Sequence, residues 1–75
     1  MSCPEKKRIA GKDWDLDRET ENGECCYYIE TNSEDMAARI LNSARKMKGY
    51  IKNKGSEPFN AGDGNIGLIL YFKKS

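Results

Sequence analysis

The chain has 75 residues, 37% hydrophobic and 33% charged, with a formal net charge of +1. That length holds one domain with a small core, and the lack of histidine removes the commonest general base and the commonest zinc ligand. The near-neutral sum conceals a sorted charge: residues 13–35 carry nine carboxylates against Arg18, whereas residues 36–75 carry eight basic side chains against Glu57 and Asp63.

Residues 1–7 read as a flexible basic tail and 8–75 as a single α+β domain. Nothing hydrophobic follows the basic start, so no signal peptide is expected. No apolar run reaches the length of a membrane span. Three cysteines are an odd number, and Cys25 and Cys26, as neighbours in a strand, point to opposite faces. Reduced thiols and a cytoplasmic location are the expectation, although Cys3 could form an intermolecular disulfide.

Arg8 to Glu30 reads as a β-hairpin. Asn22-Gly23 tolerates the positive φ of a tight two-residue turn. That turn sets Thr20 opposite Cys25, Arg18 opposite Tyr27, Leu16 opposite Ile29 and Trp14 opposite Thr31. One face then gathers Trp14, Leu16, Cys25, Tyr27 and Ile29. The other gathers Asp13, Asp15, Asp17, Glu19, Cys26, Tyr28 and Glu30. On that face Asp15 meets Glu30, an unfavourable like-charged pair.

Thr31 with Glu34, or Asn32 with Asp35, has capping-box spacing. The helix it opens is predicted to run to about Asn53, with Met36, Ala37, Ile40, Leu41, Ala44, Met47 and Ile51 on one stripe. Arg39, Asn42, Arg45, Lys46 and Gly49 fall opposite, and Gly55 is a stop. Residues 56–65 read as a loop. Residues 66–72 read as a strand that is apolar on both faces, and so central or covered by another molecule. The predicted architecture is a two-layer β-β-α-β domain. Its three-stranded antiparallel sheet has the order 2-1-3, and one long helix covers one face.

Motifs for chemistry fail on context. Asp13, Asp15, Asp17 and Glu24 have the spacing of a calcium loop, but Arg18 stands where that loop needs glycine. Alternation along a half-buried strand explains them. Residues 62–67 match G-x-G-x-x-G, but they precede a strand instead of opening a helix, and Asp63 would repel phosphate. The cysteines lack zinc spacing. No metal, cofactor or enzymatic activity is expected.

The leading expectation is a small non-catalytic protein-binding domain. Its acidic sheet face, with Asp13, Asp15, Asp17, Glu19 and Glu30 for charge and Tyr28 for contact, would engage a basic protein surface. Tyr71 or Ile69 from the last strand could add an apolar anchor. One version is an inhibitor that imitates nucleic acid, similar in size and charge to small phage or mobile-element inhibitors. The alternative is a nucleic-acid-binding module using Arg39, Arg45, Lys46 and Lys52 with the tail residues Lys6, Lys7 and Arg8. A homodimer through the last strand is a third possibility.

Overall fold

The computed structural model describes residues 3–55 and 57–74. Its elements, in chain order, are β1 (Lys6–Ile9), β2 (Lys12–Glu19), β3 (Glu24–Thr31), α1 (Glu34–Arg45), β4 (Phe59–Gly62) and β5 (Asn65–Lys73). The strands form one sheet in the order β1-β2-β3-β5-β4, with every neighbouring pair antiparallel. The α+β class matches expectation, but the three-stranded sheet of order 2-1-3 is overturned. β4 accounts for the difference in direction: it reverses the chain before β5, which therefore runs antiparallel beside β3.

Two tight turns produce the additional strands. Ala10 and Gly11 have φ of 54° and 78°, and Asp63 and Gly64 have 53° and 78°. Paired positive φ values match the right-handed twist of the flanking strands. The Asn22-Gly23 turn takes another form. Gly23 N donates to Thr20 O at 3.0 Å, Thr20 N donates to Glu24 O at 2.9 Å, and Gly23 has a φ of 77°. The loop thus has three residues, with glycine in the left-handed position that follows a type I turn.

That loop slips the β2–β3 register by one, so Glu19 and not Thr20 faces Cys25. An irregularity between Leu16 and Arg18 slips it again, and Leu16 faces Tyr27 in place of Ile29. Two slips restore the side-chain parity. Cys25, Tyr27 and Ile29 are buried on one face, with Trp14 and Leu16 packed against them. Glu19 lies within the singly slipped stretch and shares the face of Cys25, not the acidic face expected for it.

The helix is shorter than predicted. Ser33 caps it, accepting from Met36 N at 3.2 Å. Gly49, at φ 87°, lies beyond its end and not inside it. The chain then runs extended: Ile51 N donates to Tyr71 O at 2.9 Å and Lys73 N to Gly49 O at 2.8 Å. β5 is therefore paired along both edges, by β3 on one side and by β4 and residues 49–51 on the other. Its two-sided apolar character follows from that central position, and its edge is not open to a second copy. Among the described residues, no helix is long and apolar enough to cross a membrane.

Ala37, Ile40 and Ala44 of α1 close over Ile29, Leu68 and Leu70 in the core, which Ile9 and Phe72 also enter. The beginning of the chain covers more of the same face. Cys3 forms a disulfide with Cys25, the buried Tyr27 hydroxyl donates to Pro4 O at 2.9 Å, and Lys7 Nζ lies 4.4 Å from the centre of the Phe72 ring. This corrects the expectation of reduced thiols; Cys26 alone is free, and it is buried. The adjacent pair Cys25-Cys26 divides between the two faces. Of the residues read as a tail, Met1 and Ser2 lie outside the described residues.

The disulfide links residues 22 apart, for which chain entropy gives about 3 kcal/mol. Reduction, or Cys3→Ser, is expected to lower unfolding stability in urea by ~2–4 kcal/mol. A thiol reagent added to the native, oxidised protein should react only upon unfolding.

Candidate functional site

Among the described residues, no helix covers the outer face of the sheet. Its rows follow from the β3–β5 register: Glu30 opposite Gly67, Tyr28 opposite Ile69, Cys26 opposite Tyr71. Phe59 of β4 pairs with Gly67 on the far side and lays its ring over that glycine. A Cβ at residue 67 would lie 2.6 Å from the ring. Tyr28 and Phe59 are each 37% exposed, with ring centroids 6.3 Å apart and planes tilted by 39°.

Glu30 stands at the head of this pair. Its Oε1 accepts from the Tyr28 hydroxyl at 2.8 Å and its Oε2 from Asn65 Nδ2 at 2.7 Å. A carboxylate has about four acceptor positions, so two donors orient it and leave capacity for more. No ion pair to Glu30 is found among the described residues. The hydrogen bond to the carboxylate holds the Tyr28 hydroxyl above its ordinary pKa, with smaller contributions from desolvation and the Glu30 charge. Deeper in the face, burial raises the Cys26 thiol pKa, partly offset by a Tyr71 hydrogen bond and the Arg18 charge.

The other acidic residues have different surroundings. Asp13 and Asp15 sit on the β1–β2 ribbon, where Arg8 and Lys6 are their direct cross-strand partners. The ion-pair distances are 3.3 Å for Arg8–Asp13 and 2.7 Å for Lys6–Asp15. Glu19 pairs with Lys74, and Glu24 with Lys54. Lys54 also lies 5.4 Å from the centre of the Tyr71 ring. Asp17 is exposed beside the register irregularity. The structure therefore keeps Tyr28 and Glu30 together, turns Glu19 to the other face, and gives Asp13 and Asp15 cations of their own. Exposed pairs of this kind contribute little stability, but they cancel the field expected from a row of free carboxylates.

The predicted basic set also divides. Arg39, Arg45, Lys46 and Lys52 are all exposed, and none enters an ion pair among the described residues. Arg45 and Lys52 border one cleft, whereas Arg39 and Lys46 stand on the open side of α1. Among the described residues, no three His, Cys, Asp or Glu side chains are grouped to hold a metal.

Sequence reasoning missed Phe59 and Asn65. A signal for Phe59 was present: Asp63-Gly64 is a hairpin dipeptide, and counting back from it places a strand over residues 59–62. The contact between Asn65 and Glu30 had no local signal, because it depends on the pairing of β3 with β5.

No family model, no curated protein and no solved structure matches this chain.

Replacing Glu30 with Gln removes the carboxylate whose hydrogen bond, more than its charge, holds the Tyr28 hydroxyl protonated. The Tyr28 pKa is expected to fall toward the ordinary tyrosine value, measured by NMR of the ring carbon bearing the hydroxyl between pH 8 and 12. An unchanged titration would contradict the Tyr28–Glu30 hydrogen bond.

Proposed function

We propose that this is a small non-catalytic protein-binding domain that receives an arginine-bearing surface of its partner on Glu30, Tyr28 and Phe59. One observation carries the reading: Glu30 is an exposed carboxylate, oriented by two donors, beside two half-exposed rings and without an internal cation among the described residues. A guanidinium can stack on an aromatic face while it donates to a carboxylate. Tyrosine and arginine are also the residues that most often dominate interface energetics.

This reading retains a basic partner but moves the contact away from the β2 acids, three of which are paired internally. Arginines that contact phosphate also bind carboxylate. Occupying one is how such a domain would inhibit a nucleic-acid-binding target. Disulfides persist in oxidising surroundings, so the proposal carries an oxidising compartment in place of a cytoplasmic one.

The test is an NMR titration with nona-arginine and nona-lysine peptides. Arginine is expected to shift Tyr28, Phe59 and Glu30 and to bind several-fold more tightly than lysine. Glu30→Gln should weaken it roughly tenfold, the equivalent of about 1.4 kcal/mol. Gly67→Ala, which displaces the Phe59 ring, should weaken it as well. Equal binding of both peptides, or shifts confined to Asp13, Asp15 and Asp17, would overturn the reading. A salt-sensitive shift with single-stranded DNA, lost in Arg39→Ala with Lys46→Ala, would favour the basic helix face instead.

A further inference from the structure

The sheet has two outer strands, and they differ in how they are protected. β1 presents Lys6, Lys7 and Arg8 in succession, and charge of this kind discourages another strand from pairing there. β4, Phe59-Asn60-Ala61-Gly62, carries no charge at all. It pairs with β5 on one side and has no strand on the other among the described residues. Asn60 Oδ1 accepts from Gly62 N at 2.9 Å, which leaves Phe59 to Ala61 as the stretch available for pairing.

Beside β4 runs a groove of about 910 Å³. Ala37, Ala38 and Leu41 of α1 line one wall, with Pro58, Asn60 and Ile66 on the other. Its ends differ in charge. Glu34 lies at the end near Asn65, beyond β4, and Arg45 lies toward Pro58, where β4 begins. Arg45 also borders an adjoining cleft of about 350 Å³ with Lys52 and Glu57. Neither Arg45 nor Lys52 has an ion-pair partner among the described residues. An open edge beside an apolar groove is the arrangement in which an extended peptide adds as a strand.

We propose that this groove receives an extended peptide that pairs antiparallel to β4 and sets its C-terminal carboxylate against Arg45 and Lys52. The direction follows from charge. An antiparallel peptide ends where β4 begins, beside the two cations, and starts near Glu34. Glu57 opposes the carboxylate but is outnumbered there. Main-chain pairing gives affinity, and alternate side chains reach Ala37 and Leu41 for selectivity. The groove meets the Glu30 cluster at Phe59 and Asn65, but Arg45 and Lys52 belong to the groove side alone, so Arg45→Ala and Glu30→Gln tell failure of one reading from failure of the other.

The test uses the oxidised full chain against a displayed library of random heptapeptides with free C-termini. The selected consensus is then synthesised with a free and with an amidated end. The free peptide is expected to shift the amides of residues 59–61. Amidation, or Arg45→Ala, should weaken it at least about tenfold. Ala38→Arg, at an exposed helix position, should fill the groove and abolish binding while circular dichroism stays unchanged. The proposal fails if the library yields no binder. It also fails if amidation and Arg45→Ala have no effect, or if Arg45→Ala acts only on single-stranded DNA binding. Sedimentation showing that copies of the chain pair across β4 would overturn it in favour of a dimer edge.

Discussion

The segment before β1 is held against the inner face of β3 by a covalent bond, Cys3 to Cys25, and by the hydrogen bond from Tyr27 to Pro4. The remaining architecture depends on that clamp. A domain of this size has limited apolar surface to bury, and α1 spans only 12 residues. It covers Ile29 and Leu68 but leaves Cys25 and Phe72 at the other end of the sheet. The clamp brings chain over that end, adds Lys7 above Phe72, and seats Ile9 in the core. The irregularity in β2 at Asp17 fits this geometry, because an extra residue bends a strand and increases its twist.

Strand pairing determines the electrostatics. In the sequence the carboxylates lie in one block and the cations on either side of it. Among the described residues, each of four ion pairs joins the acidic block to one of its basic flanks: Lys6 to Asp15, Arg8 to Asp13, Lys54 to Glu24, Lys74 to Glu19. A charge block along a chain therefore does not imply a charged patch in space. Antiparallel strands fold one block onto the next, and cross-strand neighbours of opposite sign are the favourable arrangement. What remains unpaired is more informative about binding than what was abundant, and Glu30 and Arg45 are the residues left in shaped surroundings.

The side-chain pattern of the first long hairpin could be read from the chain, and its register could not. Trp14, Leu16, Cys25, Tyr27 and Ile29 share a face because apolar alternation survives a slip of two. The individual partners depend on whether glycine completes a two-residue turn or follows a type I turn, and both fit Asn22-Gly23. Gly49 was similarly double-valued: it can be a costly interior helix residue or a left-handed terminator. The stripe through Met47 and Ile51 argued for the first, but pairing of residues 49–51 with β5 decided the second. Of the outer face, Tyr28 and Glu30 were legible from alternation alone. Phe59 required the Asp63-Gly64 turn, and the Cys3 bond required knowledge of long-range proximity that no spacing supplies.

The β3–β5 ladder has a kinetic meaning as well. The pairs β1–β2, β2–β3 and β4–β5 each close through a short turn, and such hairpins form in microseconds. Joining Thr31 to Ile66 and Glu24 to Lys73 instead requires the intervening helix and β4 to be gathered first, at a loop-closure cost in entropy. The β3–β5 ladder is thus the long-range junction between the two halves of the chain. Both the Tyr28–Ile69 row and the Glu30–Asn65 contact depend on that junction.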